Sequence, residues 1–312
     1  MKKLFFYAAV ASVMLTACTS ENEEAKVFDN SPLRLSTQNI TGMTRGGQSV
    51  QLTQFESGEN VAIFLVEDNS GSPVTSGTNV TVYSNPITYT ADGSGGLTST
   101  QYWPTDGNGL HIWGVYPLAA KPSSNAYNAV GVTFTVAANQ TADADYKASD
   151  LMTGVPTNGN PVARTTSAIG LTFTHLLTKI NVNLTAGSGF TASDMSNAVV
   201  SILNTKPTTT FDVQSTDVTA ATGSATAITA GTGATNSAII VPQTIAASTD
   251  FIQVAVGGGN YIYTLPATAT TFDAKKCYTY NITVNKTGLV LTVTTITDWG
   301  NGGATSGNAE LQ

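Results

Sequence analysis

Ile169-Gly170-Leu171-Thr172-Phe173-Thr174-His175-Leu176-Leu177-Thr178-Lys179-Ile180-Asn181-Val182-Asn183-Leu184 is the stretch that decides the fold. Ile169, Leu171, Phe173 and His175 share one parity, while Leu176, Ile180, Val182 and Leu184 share the other. Alternation with period two marks a strand with one buried face, so the apolar face changes sides near Leu176-Leu177. A continuous strand does this through a bulge or by serving two packing environments in succession. The stretch therefore predicts the join of two β domains, with Thr157 to Ser167 as the connection.

The same period recurs outward from this point. Val80 and Val82, then Val132, Phe134 and Val136, then Ile252, Val254 and Val256 alternate with polar neighbours. Gly- and Asn-rich turn signals separate such runs, as at Asp92-Gly93-Ser94-Gly95-Gly96 and Gly257-Gly258-Gly259-Asn260. Tyr278 to Val284 and Leu289 to Val293 flank Asn285-Lys286-Thr287-Gly288 and predict a hairpin. Short helices are expected only within Thr141 to Met152 and Thr191 to Val200. Thr219 to Thr235, nearly all Ala, Thr and Gly, is expected to be an exposed loop, and Gly300 to Gln312 a flexible tail. Only 11% of the 312 residues are charged and 29 are glycine, which with the recurrent Thr, Val, Ile, Tyr and Phe makes the chain all-β. Its length suits two β-sandwich domains or one large one.

A net charge of −7 removes the basic stripe that phosphate contacts require, so nucleic acid is not an expected partner. Lys2-Lys3 followed by the apolar run Leu4 to Ala17 reads as a secretory signal, because a membrane span needs about 20 apolar residues. The run ends in Leu15-Thr16-Ala17-Cys18, which looks like a lipobox, and Cys18 is the expected lipid attachment point. Lipidation leaves Cys277 without a disulfide partner. The acidic tether Thr19-Ser20-Glu21-Asn22-Glu23-Glu24 follows, resembling export signals of surface lipoproteins. Beyond it, Ser31 to Phe64 holds an alternating arm (Leu33, Leu35), a break at Gly42, the basic Thr44-Arg45-Gly46-Gly47 and the strand-like Asn60-Val61-Ala62-Ile63-Phe64-Leu65. It reads as a removable strand followed by a protease-sensitive hinge.

Nine pieces, in order, carry a family resemblance. They are the lipobox at Cys18, Thr44-Arg45, Phe55-Glu56-Ser57-Gly58-Glu59-Asn60-Val61, Tyr102-Trp103-Pro104, Asp150-Leu151-Met152, Phe173-Thr174-His175-Leu176-Leu177-Thr178-Lys179, Val241-Pro242-Gln243, Tyr278-Thr279-Tyr280 and Ile296-Thr297-Asp298-Trp299. With these the chain resembles the fimbrillin family, the lipoprotein pilins of type V pili. The resemblance implies two tandem transthyretin-like antiparallel β-sandwich domains, export as a lipoprotein, and cleavage after an arginine that frees the first strand, here Arg45. The organisation it implies is a signal peptide over 1–17, a lipidated tether and removable strand over 18–45, and sandwiches over 46–168 and 169–312. Its expected partners are other pilin subunits joined by strand exchange, the outer membrane through the lipid, and an arginine-specific or trypsin-like protease. The location follows as the outer surface of the outer membrane, then the fimbrium. The other reading is a monomeric surface lipoprotein that binds glycans or host ligands.

Catalytic spacing is not apparent. His111 and His175 lie far apart, without HExxH or CxxC nearby, and nothing selects Asp150 or Asp298 as a partner for a nucleophile. His175 is expected to be a hydrogen-bonded interior residue at the domain join. Asp143, Asp145 and Asp150 lack the pattern of a calcium loop. Tyr102, Trp103, Trp113 and Tyr116 suit sugar stacking or, more commonly, a sandwich core. No catalytic, metal or cofactor site is expected.

Overall fold

A computed structural model describes residues 31–38, 54–74, 83–299 and 307–308. The first half holds β1 (Leu35–Gln38), β2 (Asn60–Asn69), β3 (Ser72–Pro73), β4 (Ile87–Ala91), β5 (Gly96–Thr98), β6 (Leu110–Tyr116), β7 (Val132–Thr135), β8 (Met152–Pro156) and β9 (Ile169–His175), with helix α1 (Asp143–Ala148) after β7. All but β7 form one sheet, ordered β3-β2-β4-β5-β1-β9-β8-β6. Because β6 also pairs with β2, this sheet closes into a ring in which β1 is one stave.

The ring explains why β2 is a continuous apolar run rather than an alternating one. Val61, Ile63 and Leu65 point into the ring with Phe55, Tyr89, Ile112 and Phe173. Ala62, Phe64 and Val66 belong to the other core, shared with the second half of the chain. Both faces are covered, so both parities are apolar. Phe173 sits across Gly114 and Gly154, where an added Cβ would fall 2.6 Å from the ring in either case, and it packs T-shaped with Phe55 at 5.0 Å between ring centroids. Gly154→Ala should therefore cost about 1–3 kcal/mol by overpacking. Urea denaturation checks this, and an unchanged midpoint would show that Phe173 has room to yield.

The second half holds β10 (Thr178–Ala186), helix α2 (Ala192–Met195), β11 (Val199–Thr205), β12 (Thr208–Phe211), β13 (Thr226–Thr232), β14 (Thr235–Ile240), β15 (Gln243–Ile245), β16 (Asp250–Val256), β17 (Gly259–Thr264), β18 (Thr270–Phe272), β19 (Lys276–Asn285), β20 (Gly288–Asp298) and β21 (Gly307–Asn308). Two sheets, β14-β10-β19-β20-β21 and β13-β11-β16-β17, contribute Ile180, Val182, Tyr280 and Ile282 on one side and Val200, Ile202, Ile252 and Val254 on the other to a single buried cluster. The halves are also stitched together directly. β7 pairs with β12, and the buried Gln140 side chain donates to Ile239 O and accepts from Ile239 N, both at 2.8 Å.

Several expectations are corrected. β9 belongs to the first sheet and β10 to the second, so the sheets part at Leu176-Leu177, where the apolar face switches, and not at 168/169. Thr157 to Ser167 returns the chain from β8 to β9 within one sheet. Pairing is not antiparallel throughout, since β1–β9 and β10–β19 are parallel. No hairpin joins the members of these pairs, so no turn dictates their direction. Thr219 to Ala225 is a largely exposed loop as expected, but the rest of the stretch to Thr235 is not. It contains β13, which pairs with β11 and whose Ile228 and Ala230 are fully buried in the core shared by the two sheets. The hairpin predicted at Asn285 to Gly288 joins β19 and β20, and both short helices lie within their predicted windows. The tail expectation over Gly300 to Gln312 falls outside the described residues, apart from the two residues of β21.

Candidate functional site

β1 is seated between β5 and β9. Leu35 and Ser36 pair antiparallel with Leu97 and Gly96, and Leu35 to Gln38 pair parallel with Ile169 to Thr172. Hydrogen bonds extend the seat upstream and downstream. Leu33 N donates to Gln101 O at 2.9 Å, Trp103 N to Ser31 O at 3.1 Å, Thr37 N to Gly95 O at 2.7 Å and Ile169 N to Arg34 O at 2.9 Å. Leu33 and Leu35 are each 3% exposed and pack with Leu97, Trp103, Ile169 and Leu171, while Arg34 points to solvent. A short strand with alternate residues buried thus fills a slot inside a sheet.

The two ends of the intervening segment are held differently. On the far side, Phe55 packs against Tyr116 and Phe173 at 4.9 and 5.0 Å. Lys147 of α1 bridges Glu56 at 2.6 Å and Glu59 at 3.1 Å. Burial pulls the Lys147 pKa down, but hydrogen bonds to Glu56 and Glu59 outweigh it and leave the ammonium above its ordinary range. On the near side, the start of the arm is pinned by Arg164, whose guanidinium donates to Pro104 O at 2.9 Å and Ser31 Oγ at 3.2 Å. Residues 39–53 between these anchors, with Arg45, lie outside the described residues, as does Cys18. Of the three arginines, Arg34 is in the paired arm and Arg164 has its side chain engaged.

At the other end of the chain, β20 is the penultimate strand of its sheet, and only Thr295 and Ile296 pair with β21 on its outer side. No residue of β20 is fully buried, and Val290 and Val293 are 55% and 45% exposed. Among the described residues, this strand with apolar side chains on both faces is covered on one. The sequence model of the fimbrillin-like family matches residues 44–299, from Thr44 beyond β1 to Trp299 just after this strand.

The chain belongs to the fimbrillin-like family. No curated protein shows significant sequence similarity to it. Its fold is shared with a candidate cell adhesion protein from Bacteroides uniformis, at TM-score 0.61 and 22% identity over 86% of this chain and 97% of that one. A candidate cell adhesion protein from Bacteroides ovatus matches at TM-score 0.61 and 17% identity, over 87% and 99% of the two chains. A third, from Bacteroides fragilis, matches at TM-score 0.51 and 12% identity, over 89% and 100%.

In this fimbrillin-like chain the two histidines serve separate carboxylates. His111 Nε2 lies 2.9 Å from Asp68 Oδ1, with its ring stacked on Trp113. His175 Nδ1 lies 2.7 Å from Asp150 Oδ1, both side chains 2% exposed, and Trp299 stacks on the imidazole at 4.2 Å. Asp298 pairs with Lys276, and Asp143 and Asp145 occupy the first turn of α1. Among the described residues, no group of three or more His, Cys, Asp or Glu is placed to hold a metal. Cys277 is fully buried, and burial pushes its thiol pKa up, which suits a packing residue rather than a nucleophile. Trp103, Trp113 and Tyr116 are core residues, and Tyr102 alone of that group is exposed. Local patterning did not single out the contributions of Arg164 and Gly95 to the arm's seat. Their roles arise from contacts across long sequence separations, and no spacing signals them.

Proposed function

We propose that this protein is a surface-exposed structural or accessory (tip) subunit of a type V pilus that assembles by proteolysis-triggered strand exchange and contributes to adhesion. In this reading Cys18 carries the lipid that tethers the chain to the outer membrane, and the two halves are tandem transthyretin-like sandwiches meeting at Leu176-Leu177. An arginine-specific or trypsin-like protease cuts after Arg45. The observation that carries it is the seat of β1, a stave inside a closed sheet and upstream of that arginine. Its loss leaves unpaired backbone groups above an apolar slot, and an extended segment from another subunit satisfies both. β20, half-covered and apolar on both faces, is the segment of this chain best suited to leave its own sheet. A contact that repeats head to tail without closing builds a filament.

Mass spectrometry of protein recovered from cells tests the processing step. The expected result is a mature N-terminus at Gly46, lost when Arg45 is replaced by Ala. A uniform form beginning at lipidated Cys18 would overturn it. That outcome would favour the second reading, a monomeric surface lipoprotein binding glycans or host ligands, for which the exposed ring of Tyr102 offers a stacking surface.

A further inference from the structure

β20 hydrogen-bonds to β19 along its whole length, yet no side chain in it is fully buried. The residue that follows it differs. Trp299 is only 5% exposed, its N–H donates to Lys275 O at 2.7 Å, and its indole lies nearly parallel to the His175 imidazole, 12° apart in plane and 4.2 Å between centroids. Lys275 N in turn donates to Leu177 O at 2.8 Å, so Trp299 docks where the chain crosses from β9 into β10. His175 is itself held in place, because its buried imidazole is bonded through Nδ1 to the Asp150 carboxylate; among the described residues its Nε2 has no hydrogen-bond partner. A ring held this way on one face of a sheet is a fixed platform for a second ring.

We propose that Trp299, seated on His175, is the latch that retains β20 on its own chain, with Asp150 and His175 as the residues that position the seat. The rest of β20 contributes ladder hydrogen bonds, the Lys276–Asp298 ion pair near the surface, a short pairing with β21 and half-buried contacts, which open at low cost. The buried indole at its end is the contact that must break before the strand can peel away. The seat lies on β9, the strand that also pairs with β1, so the retention of the last long strand and the seating of the first depend on one element. Use of the latch in assembly rests on the strand-exchange reading above, whereas its action within the monomer does not.

Hydrogen exchange on the intact monomer tests the latch without any filament. In the wild-type chain, protection along β20 should rise from Gly288 toward Trp299. Trp299→Ala should speed exchange of the 288–298 segment by about tenfold or more, as expected for a local opening. β8 and β10 should keep their rates, and Trp299→Phe, which restores a ring on the platform, should return exchange to near wild type. Equal acceleration of every strand would mark Trp299 as an ordinary core residue and overturn the proposal. So would an unchanged β20, or a wild-type gradient running the other way should the alanine variant not fold. Filaments that fail to form would count against strand exchange and leave this result standing.

Discussion

Cutting the folded protein after Arg45 and removing the arm should convert a monomer into a self-associating or strongly destabilised species. The arm buries Leu33 and Leu35 at 3% exposure each, and truncating a single buried leucine costs about 2–5 kcal/mol. The backbone loses contacts as well. Gln101 O, Gly95 O, Trp103 N and Ile169 N all give up partners in β1 or the residues before it, and each lost hydrogen bond costs about 0.5–1.5 kcal/mol, more where the group stays buried. Against a typical domain stability of about 5–15 kcal/mol, losses of this size leave little margin. A synthetic peptide of residues 31–38 should refill the slot and restore the monomer in analytical ultracentrifugation. The same peptide with Leu35→Asp should not, because it would place a charge among Leu97, Ile169 and Leu171. A trimmed chain that stays monomeric with an unchanged thermal midpoint would show that β1 is dispensable, and the strand-exchange reading would fall with it.

Asp150→Ala should destabilise the monomer without removing any apolar side chain. Asp150 and His175 are each 2% exposed and 2.7 Å apart, in the loop before β8 and at the end of β9. Removing one member of a buried hydrogen-bonded pair leaves the other unpaired, at a cost of about 1–3 kcal/mol. The damage should also propagate, since an imidazole that no longer has its Nδ1 partner is free to turn under the Trp299 indole. Asp150→Asn keeps an acceptor oxygen in place and should cost less than half as much in guanidinium unfolding. Equal loss for the two variants would mean that shape rather than the carboxylate matters at this site.

The legible part of this protein was its local pattern. Period-two runs located β7, β9, β16, β19 and β20, and the parity switch at Leu176-Leu177 located the passage between sheets, because strand geometry forces alternate side chains onto opposite faces. Leu33 and Leu35 were recognisable as one face of an arm for the same reason. Where the pattern misled, the cause was also physical. β13 is built of Thr, Ala, Ile and Gly, and small side chains leave a weak amphipathic signal although Ile228 and Ala230 are fully buried. Thr157 to Ser167 looked like a connection between domains because turn residues do not reveal whether the next strand joins the same sheet or another.

By itself, then, the sequence determined that the chain is all-β, where most strands lie, which face of each is apolar, and that it resembles the fimbrillins. Those properties follow from side-chain chemistry read over a few residues. Only the tertiary structure decided that β1 is an interior stave paired with β5 and parallel to β9, that β6 closes the ring onto β2, and that Trp299 comes to rest on His175. Strand pairing runs through backbone groups common to all residues, so its partners and direction are chosen by global packing across more than a hundred residues of chain rather than by any local spacing.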